Sequence, residues 1–249
     1  MKKNNKKTVS KNSAKKPKTM PLAGVPLYSD PDLPAVKEDF RKTFEWRIFK
    51  IMAEFIEGFH FLADFKKTVT VFGSTVLPET DKNYKSARKF GEIMAKKGYT
   101  MITGGGPGIM EAANRGAFEA GGDSIGINIE LADGQRMNPY VNKPIGFNYF
   151  FTRKVMLSFS SDAYVYFPGG YGTLDEFFEM ITLVQTKKLG RKVPIIVVGK
   201  EYWGPFYQWI KTEVYQKYGA IKKADLDLIN MVDTAEEAAK LVIKLRAKK

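Results

Sequence analysis

The sequence predicts an α/β protein, a doubly wound, mainly parallel sheet with helices on both faces. Three observations lead there. From Thr68 onward, short β-branched and aromatic runs alternate with helical patterns. Several of these runs are apolar at every position, as expected of strands buried on both faces. Three of them end in glycine-containing turns, and two of those turns open directly into helices.

The elements follow in chain order. Residues 1–20 carry eight lysines and no acid, which supplies most of the formal net charge of +13. This stretch is poor in apolar residues and reads as disordered. With the proline-rich segment up to residue 34 it forms a basic tail and linker ahead of a single domain over 35–249. Within 35–65, Phe40, Phe44, Ile48, Ile51, Met52, Phe55, Phe59 and Leu62 recur at steps of three and four. That spacing predicts a long amphipathic helix with a wide aromatic stripe.

The motif-bearing core runs from 68 to 198. "VTVFGS" is a strand ending at Gly73-Ser74, "KSARKFGEIMAKKG" a helix stopped by Gly98, and "YTMITGGG" a strand entering glycines. "PGIMEAANRGAFEAGG" is a helix with Pro107 near its first turn and Gly121 past its end. "DSIGINIE" is a strand. After an irregular segment come the helix "TRKVMLSFSS", the strand "DAYVYFP", the helix "TLDEFFEMITLVQT" and the strand "VPIIVVG". Two further helices, near 203–217 and 234–248, close the chain. Repeated βα units with right-handed crossovers give a Rossmann-like sheet. Ligands in such sheets bind at the carboxyl ends of the strands.

Composition narrows the chemistry. Cysteine is absent, which removes disulfides, thiolate metal sites and a cysteine nucleophile. His60 is the only histidine and lies in an aromatic helical stretch, so neither a Ser-His-Asp triad nor a zinc site is expected. The ionisable groups left for catalysis are Asp, Glu, Lys, Arg and Tyr. No lysine stands in a context that singles it out as a Schiff base for pyridoxal phosphate. No cofactor and no metal are expected. No apolar run has the length of a membrane span and no signal h-region follows the basic start, so the protein is expected to be cytoplasmic.

The candidate site lies at the glycine turns Gly73-Ser74, Gly104–Gly108 and Gly169–Thr173. Glycines let backbone N–H groups approach a phosphate, and a helix start favours an anion. The second loop is not GxGxxG, because Ile109 takes the last glycine position, and neither long loop is GxxxxGK[ST]. A mononucleotide suits two short loops better than a dinucleotide. Thr173 and Glu176 also have the spacing of a capping box, and at this level that reading stands beside the chemical one. Glu111 falls in the first turns of the helix after the second loop, and Glu130 ends a strand. Arg153 and Lys154 precede the third loop by one helix and one strand.

"GGGPGIMEAANRGA", "TRK" and "PGGYGTLDE" together resemble the LOG (LONELY GUY) family of cytokinin riboside 5'-monophosphate phosphoribohydrolases, formerly labelled possible lysine decarboxylases. The family's PGGxGTxxE motif is matched from Pro168 to Glu176, and the resemblance covers roughly Thr68 to Val198. It implies hydrolysis of the N-glycosidic bond of a nucleoside 5'-monophosphate to free base and ribose 5-phosphate. It implies catalytic roles for Arg153 and Glu176, and phosphate binding by Gly169, Gly170, Tyr171, Gly172 and Thr173. Substrate contacts are expected from Lys154, Glu130, Asp175 and Thr182. Ser74, Gly105, Gly106, Gly108, Met110 and Glu111, on the other two loops, are candidate contacts as well. Asp175 stands where plant members have Glu, and Phe151 where they have His. The version here resembles bacterial members, some of which take AMP or other monophosphates. The family also implies a homodimer or larger assembly. A nucleotide-binding sensor without turnover is the alternative reading of the same loops. Nonspecific contact of the lysine-rich tail with nucleic acid is a further expectation.

Overall fold

The computed structural model describes residues 40–129, 137–189 and 193–246. The chain divides into two compact units, 1–42 and 43–249. Of the first, a short 3-10 turn at Phe40–Lys42 falls among the described residues. The tail and linker expected over 1–34 lie outside them, and so does Glu130.

Among the described residues, the second unit has seven parallel strands: β1 (Thr68–Phe72), β2 (Thr100–Thr103), β3 (Ser124–Ile129), β4 (Lys143–Phe147), β5 (Tyr164–Tyr166), β6 (Ile195–Val198) and β7 (Ile229–Val232). Their spatial order is β4-β3-β2-β1-β5-β6-β7. The chain winds outward from β1 to β4, then returns to lay β5 on the other side of β1, with Thr70 opposite Tyr164 and Phe72 opposite Tyr166. The order therefore reverses between β1 and β5. A crevice opens at that switch point, because the connections leave in opposite directions.

Alternation along each strand divides the apolar runs between two cores. Val69 and Val71, Met101, Val165, and Ile196 and Val198 face one core, against helices α2 (Lys82–Lys96), α3 (Ile109–Glu119) and α8 (Ala235–Arg246). Phe72, Ile102, Tyr164 and Tyr166, and Ile195 and Val197 face the other. Helices α1 (Phe44–Ala63), α4 (Phe150–Phe159), α5 (Tyr171–Gln185) and α6 (Lys200–Trp209) contribute to it. Helices α2 and α3 approach closely at Gly91 and Gly116, where an added Cβ would overlap the Ala113 and Arg88 carbonyl oxygens.

Three elements differ from the sequence reading. β4 falls in the segment read as irregular. Pro144 and Gly146 hide its pattern, and it is tolerated there because it is an edge strand. β7 and the short helix α7 (Lys223–Leu226) fill the gap between the last two expected helices. The helix expected over 203–217 starts at Lys200 and passes at Ile210 into a π-helical segment that ends at Lys217. Among the described residues no helix is long and apolar enough to cross a membrane. His60 is exposed on α1.

Candidate active site

The three glycine turns meet at the switch point and are stitched together through Ser74. Its N–H donates to the Pro168 carbonyl oxygen at 3.0 Å, and its carbonyl oxygen accepts from the Ile109 N–H at 2.9 Å. The first turn is thus bonded to both others. Gly108, at φ +69°, forms the N-cap of α3, where a side chain would overlap the Ser74 carbonyl. Gly169 is crowded between the Thr173 side chain and the Ser74 N–H, and its carbonyl oxygen accepts from Tyr202 Oη at 2.6 Å.

Helix α5 starts at Tyr171 with Gly170 as N-cap and no side-chain cap. The capping box offered by the Thr173 and Glu176 spacing is therefore not formed. Thr173 sits in the third position of the helix and Glu176 in the sixth, too far along to reach the N-cap N–H. The helix start remains open toward the cleft instead.

That cleft has a volume of about 460 Å³. Of the residues singled out by sequence, Ser74, Met110, Arg153, Gly170, Tyr171, Gly172, Thr173, Asp175 and Glu176 line it. The others serve around it. Gly105 and Gly106 accept through their carbonyl oxygens from Asn138 N (2.8 Å) and Asn138 Nδ2 (3.0 Å). Glu111 accepts from Tyr84 Oη at 3.0 Å. Burial above all pushes the Tyr84 hydroxyl up to about 12, so it stays a donor. The Thr182 hydroxyl donates back to the Phe178 carbonyl oxygen, on an exposed part of α5.

Lys154 is tied to α5 by ion pairs with Asp175 Oδ2 at 2.7 Å and Glu179 Oε2 at 3.2 Å. Burial works against its charge, but the two carboxylates outweigh it and its pKa is raised. The cleft also has apolar walls that the motifs did not reveal: Phe72, Ile129, Phe150 and Leu157. Their pattern is that of any core residue, so nothing in the sequence marks them.

Arg153 and Glu176 face the cleft from different helices. Arg153 projects from α4, with Nε donating to the Ile127 carbonyl oxygen at 2.8 Å and Nη2 lying 3.5 Å from that of Gly104. Burial lowers its pKa, and the charge of Glu176 opposes that shift. Glu176 is only 6% exposed, next to Phe177 of the core. Burial is the main cause that pushes its carboxyl up to about 7, with Glu179 adding to the rise and Lys154 and Arg153 opposing it. Its carbonyl oxygen accepts from Tyr166 Oη at 3.1 Å, which fixes this turn of α5 to β5. Glu176 Oε2 is buried and has no hydrogen-bond partner among the described residues. A buried carboxyl oxygen without a partner costs free energy.

Fold and site define an α/β protein whose glycine turns and buried Arg–Glu couple share one crevice at the sheet's switch point. The family described as "Possible lysine decarboxylase" matches residues 110–242. The chain belongs to this family, the LOG family whose motifs it carries. It is 27% identical to the rice (Oryza sativa subsp. japonica) cytokinin riboside 5'-monophosphate phosphoribohydrolase LOG, over 64% of this chain and 64% of that protein. It is 31% identical to the cytokinin riboside 5'-monophosphate phosphoribohydrolase of Mycobacterium tuberculosis, over 48% of this chain and 63% of that one. These matched segments thus span less than two thirds of the relatives' own length. Among solved structures, the molybdenum cofactor carrier protein of Chlamydomonas reinhardtii shares the fold at a TM-score of 0.55 and 22% identity, over 73% of this chain and 99% of that chain.

Decarboxylation of an amino acid by pyridoxal phosphate needs a lysine at the cofactor aldehyde. Among the described residues no lysine lines the cleft, and Lys154 is held protonated by Asp175 and Glu179.

Proposed function

We propose that this protein hydrolyses the N-glycosidic bond of a nucleoside 5'-monophosphate. The observation that carries the reading is the buried Glu176 carboxyl, its Oε2 without a hydrogen-bond partner among the described residues, in the same cleft as Arg153 and the open start of α5. The 5'-phosphate sits on the backbone N–H groups of Gly170, Tyr171, Gly172 and Thr173, where the helix dipole favours an anion. The ribose then lies between Glu176 and Arg153, and the base reaches the apolar wall formed by Phe72, Ile129, Phe150 and Leu157.

In the reaction the C1'–N bond breaks and its electron pair leaves with the base, which takes up a proton. Positive charge develops on the ribose, and the Glu176 carboxylate stabilises it across a site of low dielectric. Water adds to C1' with Glu176 as proton acceptor, giving ribose 5-phosphate. Arg153 orients the ribose and offsets the charge on the leaving base.

The test is incubation with AMP and, separately, isopentenyladenosine 5'-monophosphate, with free base followed by chromatography. Base release that falls at least about 100-fold in Glu176→Gln supports the reading. Nucleotide binding with no base released from a panel of monophosphates identifies a nucleotide-binding protein without turnover.

A homo-oligomer belongs to the same reading. Phe44, Phe49, Met52 and Ile56 are exposed along α1, an apolar face suited to a second copy of the chain. Light scattering that returns the mass of a single chain at micromolar concentration overturns this part.

A further inference from the structure

Helix α4 carries Arg153, yet its N-cap, Tyr149, makes no side-chain cap hydrogen bond. The first turn of a helix leaves backbone donors that need partners. Here the partner comes from α1. Glu54 Oε1 accepts from the Asn148 N–H at 2.8 Å and Oε2 from the Tyr149 N–H at 3.4 Å. The Thr152 hydroxyl lies 2.5 Å from Glu54 Oε2 and 2.7 Å from the Tyr149 carbonyl oxygen, and its single proton serves one of the two. A carboxylate at this end also complements the helix dipole.

The rest of α1 holds Glu54 in register with α4. Gly58 admits Met156 of α4 so closely that an added Cβ would overlap its sulfur. The Phe59 ring meets Phe159 edge-on at 6.4 Å, and the Arg47 guanidinium lies over the Tyr149 ring at 5.7 Å. The residue after Thr152 is Arg153. Its backbone N–H donates to the Tyr149 carbonyl oxygen at 3.2 Å, in the turn that Glu54 grips.

We propose that Glu54 is a positioning residue for Arg153: it caps the helix that presents the guanidinium to the cleft. This makes α1, which lies outside the motif-bearing core, part of the active-site support. The inference rests on the hydrolase reading for its kinetic consequence, but not for its structural one.

The experiment uses the full chain and AMP. Glu54→Ala lowers kcat about 10- to 100-fold, the cost of misplacing a catalytic group by about an ångström. KM for AMP stays within about threefold, because the phosphate loop is untouched. Glu54→Gln recovers part of kcat, since its amide oxygen still accepts. In an Arg153→Lys background the Glu54→Ala loss shrinks to less than about threefold, because both changes disable one unit. Phe61→Ala, seven residues further along α1, lowers thermal stability without the kcat loss and separates positioning from general destabilisation.

Two readouts need no turnover. Amide exchange over residues 148–156 accelerates in Glu54→Ala, and a dicarbonyl reagent labels Arg153 faster. Unchanged exchange and labelling overturn the proposal, as does a kcat loss that adds in full on Arg153→Lys. Should the wild-type protein release no base from any monophosphate, the hydrolase reading falls, and exchange and labelling still decide the role of Glu54.

Discussion

Glu176 carries the electrostatic cost of this cleft in one buried side chain. Its carboxyl titrates near 7 in the folded protein and near 4.5 when unfolded. Below 4.5 it is neutral in both states. Between 4.5 and 7 the unfolded chain releases the proton first, so stability falls as pH rises through that window. Above 7 the loss is complete, on the order of 3 kcal/mol. Glu176→Gln should therefore unfold at higher urea than the wild type at pH 8 and at the same urea near pH 4. Equal midpoints at pH 8 would show that the carboxylate is not strained. In the kinetics, kcat/KM for AMP should rise with pH to a plateau just above 7, since the proposed reaction uses the ionised carboxylate. A profile that falls through 7 would assign the protonated form instead. Gly104 makes a second prediction at this scale. An added Cβ would overlap the Arg153 guanidinium, so Gly104→Ala should cut kcat by about tenfold or more while the melting temperature changes little. Normal kcat in that variant would remove Arg153 from the mechanism.

At the scale of elements, the second glycine loop is held from below by buried amides. Asn114 on α3 is fully buried. Its Oδ1 accepts from Thr103 Oγ1 at 2.6 Å and Asn138 Nδ2 at 3.0 Å, and its Nδ2 donates to Ser124 Oγ at 2.7 Å. Asn138 in turn donates to the loop carbonyls of Gly105 and Gly106. Asn114→Ala leaves these donors and acceptors without partners in the core, a loss of about 2–4 kcal/mol measurable by urea unfolding. A loss below about 0.5 kcal/mol, the size of a surface substitution, would mean the network is not what holds the loop. The sequence announced the loop through its glycines but not this scaffold. Asn114 reads as an ordinary helix residue, and its partners lie on β2, on β3 and between β3 and β4. The same holds for Glu54. Its spacing places it on a long helix, while the donors it satisfies stand more than ninety residues later. The capping-box spacing of Thr173 and Glu176 misled for a related reason. Where the helix begins was decided by the Gly169 and Gly170 turn against Ser74 and Tyr202, not by local capping chemistry.

For the whole molecule, charge and fold separate. Deleting residues 1–20 takes the formal charge from +13 to +5, because the segment holds eight lysines and no acid. That deletion should abolish salt-sensitive RNA binding and leave AMP turnover and the unfolding midpoint as they were. RNA binding that survives it would place the basic contact outside residues 1–20. The five inner strands β1, β2, β3, β5 and β6 were written into the chain as apolar runs between helix patterns, which are local and so readable without coordinates. The edge strands β4 and β7 were not, because half-exposed strands carry no continuous apolar run. By itself, then, the sequence determined the five inner strands, the three glycine turns and the family motifs, whose resemblance implied the roles of Arg153 and Glu176. Only the tertiary structure decided which of the expected contacts line one cleft, that Lys154 is spent on Asp175 and Glu179, and that a carboxylate from α1 caps the helix of Arg153. Those outcomes depend on burial and on partners distant in the chain, and local pattern carries no record of either.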